Sequence, residues 1–139
     1  MASRTKAKGT RWESAVVATL KNFFGRRYGL DPYRPAQSGR FDVADVNGVS
    51  PFVVQAKDWR SWEDAIREGL DGAEAQAGNA GEMYGVAIVK RARRPVGLAY
   101  AVTTLATWAR RAEALLQAHA PEAYERHVTE TFEDAQRPI

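Results

Sequence analysis

Two short apolar runs, residues 40–46 and 51–57, show the clearest strand pattern in the chain. Phe, Val and Ala dominate both runs, and a polar stretch rich in turn-forming residues separates them. Apolar runs of this length, bounded by turn residues, predict two β-strands paired as an antiparallel hairpin. Three polar side chains interrupt the runs: Asp42 in the first, and Gln55 and Lys57 in the second.

Side-chain alternation decides which of these polar groups meet. Gln55 and Lys57 are two positions apart and therefore share one face of a strand. A two-residue turn would place Asp42 opposite Val53. A four-residue turn, which we prefer because it starts the second strand at a proline, would place Asp42 opposite Gln55. Both registers put Asp42 on the face of the other two polar groups, and Asp45 points away from it.

The other apolar positions predict three helices and two further strands. The first helix has Thr10 as its expected N-cap and Gly25 as its stop, and the second starts at Ser61. The predicted helices span residues 11–24, 61–78 and 105–119, and the further strands span 84–89 and 98–102. This order predicts an α/β fold with a mixed central sheet flanked by helices on both faces.

The second predicted helix carries an apolar stripe that should face the sheet, and Gly69 on this helix allows close packing. Trp59, between the hairpin and this helix, is able to stack on a base, although a core or dimer-contact tryptophan is the commoner case. The stripe consists of Trp62, Ala65, Ile66, Leu70, Ala73 and Ala77.

Length and composition limit the class of protein. A chain of 139 residues with 45% hydrophobic positions suits one domain with a core. No apolar run approaches the roughly 20 residues of a membrane span, and the N-terminus lacks the apolar stretch of a signal peptide. Cysteine is absent, which excludes a disulfide framework and a thiolate zinc site. We expect a cytoplasmic protein with a flexible basic segment at 1–8, a domain at 9–120 and a polar tail or short helix at 121–139.

The formal net charge of +3 is mild support for an anionic partner. The basic residues form three clusters, at the N-terminus, before Asp42 and in the loop around residues 90–94. Each cluster alone is compatible with ordinary solvated surface, but together they flank one candidate site. For a DNA partner, the predicted contacts are Lys6, Lys8, Arg11, Arg34, Ser38, Arg40, Arg91, Arg93 and Arg94.

The polar face of the predicted hairpin suits metal-assisted phosphate chemistry. Carboxylate and amide oxygens are ligands for a Mg²⁺ that keeps several waters, and a neighbouring lysine offsets charge that develops on a phosphate. Asp42 followed by Gln55-Ala56-Lys57 resembles the active-site pattern of the PD-(D/E)xK nuclease superfamily. Gln stands where Glu is usual, as in the Gln-x-Lys variant of Mrr-type nucleases. The segment 34–39, Arg-Pro-Ala-Gln-Ser-Gly, is similar to the Ser-Gly loop of archaeal-type Holliday junction resolvases.

The resemblance implies a restriction-endonuclease-like αβββαβ core and a Mg²⁺-dependent DNA endonuclease, with Mn²⁺ as a substitute metal. The metal ligands it implies are Asp42, Gln55 and Glu13, and Lys57 completes the catalytic set. Residues 8–13 resemble the Lys-Gly-x-x-x-Glu opening of resolvase-like members. The alternative for Glu13 is a capping box, in which its side chain reaches back to the Thr10 N–H.

A polar residue on the second helix faces the site in related nucleases, so Gln76 either has that role or lies on solvated surface. Within the class, a four-way junction resolvase is the favoured activity, because the chain is short and has no evident separate specificity domain. Symmetric cutting of such a junction needs two sites and predicts a homodimer on branched DNA.

Three alternatives remain open. The first is an Mrr-like or nicking nuclease acting on duplex DNA. The second is a catalytically inactive DNA-binding module of the same fold, since Gln55 lacks the usual negative charge. The third is a small α/β protein in which Asp42 and Lys57 form a structural ion pair. If the gene belongs to a phage, the location would be the cytoplasm of the host cell.

Overall fold

The computed structural model describes residues 3–36 and 44–120. The chain divides into two compact units, Met1–Thr103 and Thr104–Ile139. The division lies before the last described helix, whereas the predicted domain ran to residue 120. Within the described ranges, no helix combines the length and apolar character that a membrane crossing requires.

The N-terminal helix α1 spans Arg4–Leu20 and starts much earlier than predicted. Ser3 is its N-cap, with a side-chain oxygen that accepts a hydrogen bond from the Lys6 N–H. The chain then continues through a π-helical turn, Lys21–Gly25, into the short helix α2, Arg26–Tyr28. Thr10 and Gly25 are therefore inside helical structure, and both predicted ends are wrong. Residues 4–8, expected to be flexible, are helical because Arg, Lys and Ala are strong helix formers.

The sheet has three strands in the order β1-β2-β3. β1 spans Phe52–Lys57 and pairs in parallel with β2, Tyr84–Val89. β3 spans Tyr100–Val102 and pairs antiparallel with β2, after a 3₁₀ turn at Val96–Leu98. Parallel neighbours need a crossover connection, and helix α3, Trp62–Ala80, provides it. The predicted mixed α/β sheet flanked by helices is confirmed.

The two faces of β1 pack against different helices, as alternation requires. Val54 and Ala56 belong to a core cluster with Trp12 and Val16 of α1. Val53 packs with Ala77 of α3. Gln55 and Lys57 lie on this second face, directly beneath α3.

The segment before β1 pairs with it in a register that neither predicted turn produces. Val46 forms an antiparallel bridge with Val54, and the N–H groups of Asp45 and Val46 both donate to the Val54 carbonyl. Two residues opposite one is the geometry of a β-bulge. The bulge explains why Ala44 packs with the α3 face while Val46 packs with the α1 face, although residues two apart in a regular strand share a face.

Helix α3 begins at the predicted N-cap but ends at Ala80, two residues beyond the predicted end at residue 78. Ser61 is the N-cap and accepts a hydrogen bond from the Asp64 N–H, and Gly81 ends the helix in the left-handed conformation at φ 68°. Its buried residues are Ala65, Gly69, Ala73 and Ala77. Trp62, predicted to belong to the buried stripe, is 57% exposed, so that part of the prediction is wrong.

The described part of the second unit is helix α4, Leu105–His119, with the bounds that the sequence predicts. Thr104 is its N-cap and accepts a hydrogen bond from the Thr107 N–H at 3.1 Å. The large apolar side chains of α4 are exposed, and these are Leu105, Trp108, Leu115 and Leu116.

Candidate functional site

Gln55 is a buried amide held by a second amide from α3. It is 6% exposed, and its Nε2 donates a hydrogen bond to Oε1 of Gln76. Of the two alternatives for Gln76, the structure favours the one in which this residue turns toward the polar face of β1. Nε2 is the atom of Gln55 that this hydrogen bond engages, and Oε1 is the other polar atom of the amide.

Gly69 of α3 makes room for Lys57, and Gly72 lies over Gln55 at ordinary contact distance. A Cβ at Gly69 would lie 3.1 Å from Cγ of Lys57, and a Cβ at Gly72 would lie 3.9 Å from Cδ of Gln55. Gly69 and Gly72 are one turn apart and therefore line one side of the helix. The close packing predicted for Gly69 is confirmed. This glycine packs against the side chains of Lys57 and Ala87, so one of its two neighbours is polar.

Lys57 follows Gln55 on the same face and is half-buried. Its ammonium nitrogen lies 5.5 Å from the ring centroid of Trp59, a cation–π contact. Among the carboxylates that the structure describes, none lies within ion-pair distance of this ammonium. Asp42, the predicted partner of both residues, lies outside the described residues, so its part in the site stays a prediction.

Glu13 has a different partner from either one that the sequence predicts. Its Oε2 accepts a hydrogen bond from Nε of Arg34 at 2.9 Å, in a pair whose side chains are 20% and 31% exposed. The capping-box alternative is wrong, because Thr10 lies in the interior of α1. Described hydrogen bonds and ion pairs do not bring Glu13 to Gln55 or Lys57.

Asp58 is a charged residue that the sequence prediction missed. Its side chain is 8% exposed and binds two ammonium groups, with Lys8 at 3.0 Å and Lys90 at 3.2 Å. Lys90 also lies over the ring of Trp12, 5.7 Å from its centroid. Asp58 thus ties the first turns of α1 to the carboxyl ends of both parallel strands. The available signal was its position directly after an apolar strand that ends in a lysine.

The predicted DNA contacts fall into three groups. Lys8 and Arg34 are engaged in the ion pairs with Asp58 and Glu13. Ser38 and Arg40 lie outside the described residues. The other five predicted contacts are exposed or half-buried residues of α1 or of the loop after β2. They are Lys6, Arg11, Arg91, Arg93 and Arg94.

The described residues alone do not fit a Mg²⁺ ion. No three His, Cys, Asp or Glu side chains converge anywhere in the described ranges. Gln55 offers one amide oxygen, and the Glu13 carboxylate is held by Arg34. Magnesium prefers several oxygen ligands in octahedral geometry. The predicted metal site therefore depends on Asp42.

Comparisons of the chain with protein-family models, with curated proteins and with solved structures found no match. The nuclease resemblance therefore depends on the short motif and on the order of elements. Within the described residues, the structure adds the shared face of Gln55 and Lys57, the amide contact from Gln76 and the glycines above them.

Proposed function

We propose that this protein is a DNA endonuclease that hydrolyses phosphodiester bonds at the face of β1 carrying Gln55 and Lys57. The observation that supports it most is the placement of these two side chains beneath α3. A buried amide and a half-buried lysine in a strand facing a helix are costly unless they have partners or a role. Glycine at position 69 leaves space for Lys57, because a Cβ there would lie only 3.1 Å from the lysine Cγ.

Each residue has a distinct role in this proposal. The Lys57 ammonium stabilises the negative charge that develops on the phosphate during attack by water. Gln76 orients the amide of Gln55 so that its oxygen is presented to the site. Asp42 is the carboxylate of the motif. Glu13 joins this set only after its carboxylate leaves Arg34.

Magnesium dependence is part of the proposal because the resemblance implies it, with Mn²⁺ as a substitute. A bound divalent ion supplies charge neutralisation at a phosphate. A chelator tests this dependence directly, since it leaves the protein residues unchanged.

The proposed substrate is a four-way DNA junction. Paired symmetric cuts need two copies of the site related by two-fold symmetry, so the proposal includes a homodimer. A cytoplasmic location, or the host cytoplasm for a phage protein, is where such a substrate would be met. Mass measurement in solution, with and without junction DNA, tests the dimer.

The deciding experiment compares cleavage of a labelled four-way junction with that of a matched linear duplex, in Mg²⁺ and in EDTA. The variants are Lys57→Ala, Asp42→Asn and, as a charge-matched control, Lys21→Ala. Lys21 is exposed and pairs only loosely with Asp31 at 3.5 Å, so its loss leaves the site intact. We expect the first two variants to lose at least roughly 100-fold in cleavage rate and the control to cut like the wild type.

The outcomes separate the candidate activities. Symmetric cuts in the junction alone, abolished by EDTA, support the resolvase, and cuts in both substrates support the Mrr-like or nicking nuclease. Lys57→Ala protein that remains folded and cuts as fast as the wild type would refute the proposed mechanism.

A DNA-binding module without catalysis is the second candidate, and Gln55 is the observation that favours it. An amide replaces the usual carboxylate and bonds to another amide, so the described site carries little negative charge to hold a cation. Salt-sensitive DNA binding without cutting in Mg²⁺ or Mn²⁺ would support this candidate. Gain of cleavage in Gln55→Glu would then identify the missing charge as the reason.

A further inference from the structure

A cleft of about 320 Å³ opens beside the Gln55–Lys57 face, at the carboxyl end of the parallel strands. Three aromatic side chains line it, Trp59, Trp62 and Tyr100, and its remaining walls are basic except for one alanine. None of the lining residues that the structure describes is acidic. These aromatic and basic side chains belong neither to the hydrophobic core nor to the β1 face that carries Gln55 and Lys57, which we call the hydrolytic face.

The topology explains why these residues meet. Trp59 lies two positions after the end of β1, and Lys90 directly follows β2. Tyr100 opens β3 and pairs with Val89, the last residue of β2. The ends of neighbouring parallel strands meet at one edge of a sheet, which is the usual position of ligand sites in open α/β folds.

The aromatic rings are presented to solvent rather than buried. Trp59 is 38% exposed, Trp62 57% and Tyr100 44%. Single exposed apolar residues are common, but three large rings around one concave surface are typical of a binding site. Trp62 belongs to the first turn of α3, where helical periodicity predicts a core residue, so its exposure is a departure from the helix's own pattern.

The cations of the cleft are arranged around those rings. The guanidinium of Arg91 lies 4.8 Å from the ring centroid of Tyr100, and its Nη1 donates to the Leu98 carbonyl. These contacts fix the loop after β2 against β3. Arg60 and Arg94 form no ion pair with any carboxylate in the described ranges, so their positive charge is uncompensated there.

We propose that this cleft binds unpaired nucleotides of DNA, with bases stacked on the tryptophan rings and phosphates held by Arg60 and Arg94. Base–aromatic stacking in a positively charged groove is the mechanism by which proteins hold single strands without reading sequence. A volume of about 320 Å³ is within the range of small-ligand sites and leaves space for a nucleotide rather than a duplex. Trp59 also contacts Lys57, so a strand seated here leads to the hydrolytic face.

The idea that a bound strand leads to a hydrolytic site rests on the proposed function, but binding by the cleft does not. We therefore test it in EDTA, where no cleavage is expected. Fluorescence anisotropy compares a labelled oligo(dT) of about 12 nucleotides with a blunt duplex of equal length. A failure of cleavage in the junction assay leaves this measurement unaffected.

Trp62→Ala is the test variant and Trp108→Ala the matched control. The two tryptophans are 57% and 58% exposed, so removing either leaves the core intact, and Trp108 lies on α4 outside the lining of the cleft. We expect Trp62→Ala to weaken oligo(dT) binding roughly 5- to 150-fold, the range for losing one stacked base. Trp108→Ala should bind like the wild type.

Arg94→Ala provides an independent measurement. Loss of one phosphate contact should reduce the slope of log K against log salt by roughly 0.7 for a single strand. Two results would overturn the proposal. In the first, Trp62→Ala and Trp108→Ala lose the same affinity for oligo(dT). In the second, the wild type binds the duplex as tightly as oligo(dT), and Trp62→Ala changes neither affinity. Tighter binding of an oligo(rU) strand than of oligo(dT) would overturn its assignment to DNA.

Discussion

Gly85 in β2 lies directly beneath α3, and its replacement by alanine tests how closely that helix is seated over the candidate site. An ideal Cβ at this position would lie 2.6 Å from the Glu74 nitrogen, 2.7 Å from the Ala73 carbonyl carbon and 2.9 Å from the Ala73 carbonyl oxygen. All three atoms belong to the backbone of α3. A side-chain rotation cannot relieve such contacts, so the whole helix has to move.

The expected cost follows from that displacement. A gap of roughly 0.5–1 Å between packed surfaces forfeits a quarter to a half of their attraction. Overpacking a core in this way typically costs about 1–3 kcal/mol. For a chain of this size, each kcal/mol corresponds to roughly 4 °C in Tm, so Gly85→Ala should lower Tm by roughly 4–12 °C.

Gly78→Ala is the matched control, because a Cβ there meets nothing within 4 Å. This glycine lies on the exposed side of α3, where alanine should raise stability by up to about 1 kcal/mol. Urea unfolding followed by circular dichroism gives both free energies. If Gly85→Ala is as stable as the wild type, α3 is not seated on β2 as described, and the contact between Gln76 and Gln55 loses its structural basis.

Substitutions at three further positions give distinct expectations. Thr10→Ala should leave the free energy of unfolding unchanged or raise it by up to about 0.5 kcal/mol in thermal unfolding, whereas a loss of about 1 kcal/mol would show that Thr10 caps the helix. Asp58→Asn should lower stability by about 1–3 kcal/mol in urea at low salt, because two lysines lose a largely buried partner; no change would refute that bridge. Gln76→Ala should lower the free energy of unfolding by about 1–3 kcal/mol, because it leaves the Gln55 amide without its acceptor. Gln76→Glu keeps an acceptor and should lower the free energy of unfolding less. Equal stability of the two variants in urea unfolding would contradict this role.

The elements that the sequence predicts well are those with strong local signals. β2 and α4 have the predicted bounds, because a continuous apolar run and a clear helical period are each flanked by turn or capping residues. The common face of Gln55 and Lys57 follows from alternation alone. These features depend on residues close together in the sequence.

The features that escaped prediction depend on residues far apart. The start of α1 was misplaced because Thr10-Arg11-Trp12-Glu13 has the form of a capping box, and nothing nearby shows that Lys8 pairs with Asp58. The predicted hairpin register is wrong because a bulge changes which residues oppose each other, whereas both predicted turns assume a regular ladder.

Within the candidate site, the sequence predicts only the arrangement of the residues on β1. Gln55 and Lys57 are separated by one residue, whereas the contacts of Gln76 and Arg34 with the site residues span 21 positions each. The exposure of Trp62 also escaped prediction, since periodicity identifies the apolar side of a helix but not where the sheet beneath it ends.

The long separation between α1 and its partners has a consequence for synthesis of the chain. The indole of Trp12 donates to the Ile88 carbonyl, 76 residues further along, and Val16 packs on the β1 residues Val54 and Ala56. The first helix therefore leaves the ribosome well before the strands it covers. At ordinary elongation rates this interval lasts roughly 4–15 s, during which its apolar side has no native surface to cover. We expect chains stalled before residue 84 has left the ribosome to bind chaperones through this helix, and chains in which residue 103 has left the ribosome to release them.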